Sequence, residues 1–117
     1  MTAKTDRELL ELAARAVGGA LSEGRGKRRT GGTWDEWEWY GPLGIHMPEG
    51  PTTYPLIDDG DALRLTVALG ISIDLEDCSV WKRLPNHKLI QEYWGGDYPD
   101  SYKHAIVRAA AAIGETL

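Results

Sequence analysis

Four basic residues, Arg25, Lys27, Arg28 and Arg29, lie in a glycine-rich stretch just ahead of Trp34, Trp37 and Trp39. Single-stranded nucleic-acid grooves use these residue types, with cations holding phosphates and aromatic rings stacking on bases. The blander account is a solvated charged loop beside tryptophans whose alternate spacing suits a sheet or core face.

Other residues offer weaker chemistry. Asp58, Asp59 and Asp61 resemble a metal or acid–base cluster, but a hard divalent ion needs more oxygen ligands and the calcium-loop spacing is absent. Capping of a following helix accounts for them. His46, His87 and His104 fall in three separate segments without metal spacing, although Asp100 and His104 are four apart on one predicted helix. Cys78 near His87 would be a nucleophile pair only with an oxyanion motif that the chain lacks. Phosphate-binding, dinucleotide, nucleophile-elbow and metalloprotease signatures are also missing. The sequence therefore predicts no catalytic residue, no metal and no cofactor; a non-enzyme is favoured, with a small enzyme built on a pocket of Trp37, Trp39 and Trp94 as the alternative.

The aromatic composition is the stronger signal. There are five Trp, five Tyr and no Phe. Trp34, Trp37, Trp39, Tyr40, Tyr54, Trp81, Tyr93 and Trp94 exceed what so small a core holds comfortably, so some are expected on an exposed patch. The alternative is that they replace Phe inside. The expected partner-binding set is Arg25, Lys27, Arg28, Arg29, Trp34, Trp37, Trp39 and Trp94. It serves three modes: a protein partner or second copy on an aromatic surface, single-stranded nucleic acid on the basic loop, or a small molecule or nucleotide in a pocket of Trp37, Trp39 and Trp94.

The elements that would carry these residues follow from periodicity. Thr5 or Asp6 with Glu8 starts a helix over about 5–17, which Gly18 and Gly19 stop. Residues 22–33 read as a flexible basic loop, and the alternation of Glu36 and Glu38 with Trp37 and Trp39 predicts a strand over 34–40. Four prolines and three glycines in 41–57 predict an irregular loop over the core. A helix runs from about Asp59 to Gly70, with Leu63, Leu65, Val67 and Leu69 as its apolar face. A strand follows that buries Ile71, Ile73 and Leu75, and 79–83 and 89–94 predict two more strands in a meander. A last helix starts at Asp100 or Ser101, buries Tyr102, Ile106, Ala109, Ala110 and Ile113, and ends at Gly114. The expected fold is α+β, a mainly antiparallel sheet of about four strands with three helices packed on it, in a single domain over 1–117.

Composition narrows the setting. Apolar residues at 42% and charged residues at 26% are ordinary globular values. No apolar run approaches the ~20 residues of a membrane span. The opening residues mix both charge signs without an apolar stretch, so no secretory signal is expected. A lone Cys78 allows no intrachain disulfide and suits a reducing cytoplasm. The net charge of -5 argues against broad nucleic-acid binding, though not against a local patch.

Three blocks carry a resemblance: Thr5 to Ala14, Pro55 to Leu65 with its Asp58-Asp59-Gly60-Asp61 core, and Ala105 to Ala111. Together they resemble the NinX-type proteins of tailed phages and prophages. Thr53-Tyr54-Pro55-Leu56 stands where that group commonly has Trp-Asn-Pro-Leu, and the tryptophan-rich segment departs from its pattern. The resemblance implies a phage-encoded accessory protein in a bacterial host cytoplasm, with a host or phage protein as partner. It carries over no catalytic residue.

Overall fold

The computed structural model describes residues 4–23, 25–29, 36–40, 42–95 and 101–117; for 25–29, 36–40 and 101 the description is of the backbone. Helix α1 spans Asp6–Val17. Thr5 caps it by accepting the Glu8 N–H at 3.2 Å, while the Glu8 carboxylate reaches back to the Thr5 N–H, so two orphan amides are satisfied reciprocally. Gly18 closes it at φ 76°, a left-handed position that disfavours a side chain.

The expected loop over 22–33 is corrected in part, because strands occupy much of that region. β1 is Ala20–Ser22 and β2 is Arg25–Arg29, followed by β3 at Glu36–Tyr40. The expected irregular loop over 41–57 is corrected too. It contains β4, Gly44–His46, and β5, Thr52–Thr53. β1, β4 and β5 form one antiparallel sheet with β4 in the centre, and β2 pairs with β3 in a sheet of its own. Ser22 lies opposite Gly44, and Arg25 opposite Tyr40, so the β2–β3 hairpin departs from the end of the β1–β4 ladder. Prolines at 42, 48 and 51 fall outside the short strands, which is how a proline-rich segment still pairs. Gly44 is required at its position: a Cβ there would press on the Thr53 carbonyl and the Tyr54 ring.

Helix α2 spans Asp59–Leu69, capped by Asp58, which accepts the Asp61 N–H at 2.9 Å. Gly70 ends it at φ 67°, and the Lys82 ammonium donates to the Leu69 carbonyl, placing positive charge at the negative end of the dipole. The expected apolar face is half wrong. Ala62, Leu65, Thr66 and Leu69 are buried, whereas Leu63 and Val67 are exposed. With leucine or valine on both sides, the helix had no unique face until its neighbours chose one.

Strands β6, Ser72–Asp74, β7, Ser79–Arg83, and β8, Leu89–Tyr93, form the expected meander in the order β6-β7-β8. The expected buried face of the first of these is corrected: Ile71 is buried ahead of β6, but Ile73 is partly exposed and Leu75 lies in the following turn, open to solvent. Helix α3, Ser101–Glu115, packs on α1, α2, β7 and β8. It is buried on nearly every side, through Ala105, Ile106, Val107, Ala109, Ala110, Ala111 and Ile113. Its alanines let neighbouring elements approach closely. Gly114 does not end this helix, as the sequence suggested, but lies within it against the Leu12 carbonyl of α1. Among the described residues the architecture is α+β with three helices and small antiparallel sheets of three, two and three strands, in place of one four-stranded sheet. One hydrophobic cluster runs from Leu10 of α1 through Ile45, Leu65 and Val80 to Ile106.

Candidate interaction surface

The meander β6–β8 is shaped by its two turns. The Asp74 carboxylate accepts the Glu76 and Asp77 N–H groups, and Cys78 takes φ 51°. At the second turn the Asn86 side chain accepts the Lys88 N–H while His87 takes φ 69°. Register then sets the faces. Val80 lies opposite Ile73 and Glu92, and Lys82 opposite Ile90; this side meets α3. The other side carries Trp81 opposite Ser72 and Gln91, Leu89 opposite Arg83, and Tyr93 opposite Ser79. On it Trp81 is 38% exposed, Leu89 44% and Tyr93 55%, so large apolar side chains reach solvent from one face, fringed by Arg83, Gln91 and Ser72.

Trp94 belongs to the opposite side. Its N–H donates to the Cys78 carbonyl at 3.0 Å, and its ring meets Tyr102 edge-on, with centroids 6.4 Å apart. It lines an apolar groove of about 450 Å³ with Ile73, Leu75, Cys78, Val80, Tyr102 and Ile106. A pocket of Trp37, Trp39 and Trp94 was expected; Trp94 lines this groove, and the side chains of Trp37 and Trp39 lie outside the description. Trp34 lies outside the described residues. For Arg25, Lys27, Arg28, Arg29, Trp37 and Trp39 the backbone register is described: Arg28 stands opposite Trp37, Gly26 opposite Trp39, Lys27 opposite Glu38 and Arg29 opposite Glu36. Two of the four basic positions thus stand opposite glutamate positions in the register.

The aspartates divide among separate structural tasks. Asp58 caps α2, and Asp61 accepts the Tyr54 N–H at 2.9 Å and pairs with Arg64. Asp59 accepts from the Tyr102 hydroxyl and, at 2.9 Å, from the buried Lys103 ammonium. The Tyr102 hydrogen bond and then Lys103 hold its carboxyl below the usual carboxylate range, against a small opposing effect of desolvation. Among the described residues no group of three or more His, Cys, Asp or Glu could hold a metal ion.

The histidines are equally dispersed. His46 Nδ1 lies 2.6 Å from the Thr52 hydroxyl, tying β4 to β5. His104 Nε2 lies 3.3 Å from Asp6, tying α3 to α1; Asp100, its expected neighbour, lies outside the described residues. Cys78 precedes β7 and His87 follows it, so five strand residues separate them by roughly 16 Å and no nucleophile–base pair forms.

Sequence reasoning grouped Trp81 and Tyr93 with the surplus aromatics without assigning them a face, and it missed Leu89. The available signal was the alternation of Val80 with Trp81 and of Ile90 with Leu89, but both alternating sets are apolar. Comparison of the chain with protein-family models, curated proteins and solved structures finds no match.

Proposed function

We propose that this protein is a non-enzymatic binding protein that engages a host or phage protein through the aromatic face of β6–β8, as a phage- or prophage-encoded accessory factor in a bacterial host cytoplasm. The observation that carries this reading is the joint exposure of Trp81, Leu89 and Tyr93 on one sheet face. Tryptophan and tyrosine dominate binding hot spots because they remove much apolar area from water while ordering few torsions, and a polar fringe excludes water around them. Among the described residues, Asp58, Asp61, His46 and His104 serve as caps and ties between elements.

A second reading, single-stranded nucleic-acid binding along β2–β3, is favoured by the register of Arg28 opposite Trp37. An affinity capture from bacterial lysate, with and without nuclease, tests both. Wild type is compared with Trp81→Ser/Tyr93→Ser and with a variant carrying Ala at 25, 27, 28 and 29. A specific protein that survives nuclease and is lost only in the aromatic variant is the expected result. Nucleic acid lost in the four-alanine variant, with strong salt dependence, would transfer the function to the hairpin.

A further inference from the structure

Among the described residues, strand β8 borders its sheet, bonded to β7 on one side. The Leu84 N–H donates to the Lys88 carbonyl, and the Trp94 N–H to the Cys78 carbonyl. Bonded and non-bonded positions alternate along an antiparallel ladder, so the even-numbered residues of β8 bond to β7. The N–H and C=O groups of Leu89, Gln91 and Tyr93 therefore turn outward. The Tyr93 carbonyl is already engaged, accepting from the Arg108 guanidinium at 2.8 Å. Among the described residues, the open part of the edge is Leu89 and Gln91. Alongside it, between β8 and the last turns of α3, runs a groove of about 420 Å³ where Ala112 leaves space; the Glu92 carboxylate on its wall also accepts from Arg108 at 3.3 Å, and Glu115 pairs with Lys4 at 2.7 Å.

We infer that this edge is completed by β8 of a second copy, antiparallel about a twofold axis at Ile90. The edge is self-complementary in that register. Leu89 and Gln91 of one copy exchange backbone hydrogen bonds with Gln91 and Leu89 of the other, Ile90 lies opposite Ile90, and each Lys88 lies opposite a Glu92. Charge complementarity selects this register over the next one with the same facing. Shifted by two, the pairing needs the Tyr93 carbonyl that Arg108 holds, and it sets Lys88 opposite Trp94. A one-residue slip would turn the core face of one copy toward solvent. The resulting six-stranded sheet, β6-β7-β8-β8-β7-β6, presents both aromatic faces as one surface. The inference goes beyond the partner-binding reading and does not depend on it, since the edge and the face are different parts of β8.

Sedimentation velocity over a wide concentration range tests it, with circular dichroism confirming that each variant folds. Wild type is expected to dimerise reversibly. Gln91→Pro removes an outward N–H and leaves the β7 ladder bonds in place, so it should weaken the dimer by tenfold or more, roughly the effect of ~1.4 kcal/mol. Lys88→Glu sets like charges opposite one another and should weaken it comparably, and adding the neutral Glu92→Gln to the same chain should relieve that repulsion. These charge variants carry the test if the proline variant fails to fold. A wild type that stays monomeric, a Gln91→Pro protein that dimerises as wild type does, or open-ended oligomers would each overturn the inference.

Discussion

Gly114 and Asp59 show how single residues hold helices together here. At Gly114 the backbones of α1 and α3 approach so closely that a methyl group would land on the Leu12 carbonyl. Gly114→Ala is therefore expected to destabilise by about 2 kcal/mol despite alanine's better helix propensity, since overpacking a contact of this kind costs about 1–3 kcal/mol. A urea midpoint equal to or above that of wild type would refute the close approach. Asp59 links α2 to Tyr102 and Lys103 of α3, and its carboxyl is held below the usual range. A carboxylate with a lower pKa folded than unfolded stabilises above its unfolded value of about 4 and loses that contribution as pH falls through the folded value. Asp59→Asn should thus flatten the acid side of the stability curve. Urea midpoints of both proteins from neutral pH to about pH 3 check it, and an unchanged slope would count against the pairing. Trp81→Ser and Tyr93→Ser, by contrast, should each shift stability by no more than about 0.5–1 kcal/mol, since both side chains already reach water.

At the scale of elements, α2 is the clearest case of a face chosen by packing. Leu65 is 2% exposed and Val67 76%, although the two are equally apolar in sequence. Leu65→Ala is expected to cost about 2–4 kcal/mol through lost burial and a residual cavity, whereas Val67→Lys should cost within about 0.5 kcal/mol. Thermal melts of the two variants separate these outcomes. A large loss from Val67→Lys would mean that another surface covers the outer side of α2. The ends of this helix were legible from the start, because Asp58 and Gly70 act on amides and carbonyls within a turn of themselves. The caps of α1 were legible for the same reason. Strands β4 and β5 were not: they have three and two residues, too short for a period-two pattern, and the other partner of β4, β1, lies well upstream in the chain. Composition saw their prolines and glycines and could not see the pairing.

For the molecule as a whole, the β2–β3 hairpin is a sheet separate from both three-stranded sheets, and it leaves the body where Ser22 lies opposite Gly44. Because those ends are already neighbours, replacing residues 24–41 with a short Asn-Gly-containing turn should preserve the circular dichroism spectrum and a cooperative melt within a few degrees of wild type, at roughly the small cost of a changed loop length. Collapse of the melt would show that the hairpin is part of the core. If the fold survives, the same variant separates the two functional readings, since it keeps the aromatic face and lacks the basic strand. Sequence alone determined what depends on near neighbours: the three helices, the caps of α1 and α2, the meander and the α+β class. It also signalled more aromatic rings than the interior could accommodate. Tertiary structure alone decided which rings face outward. Both faces of β7 and β8 carry apolar residues, Val80 beside Trp81 and Ile90 beside Leu89, so period-two alternation has no preferred side until α3 covers one of them. The division of the strands into separate sheets was hidden for the same reason, because it rests on contacts between segments distant in the chain.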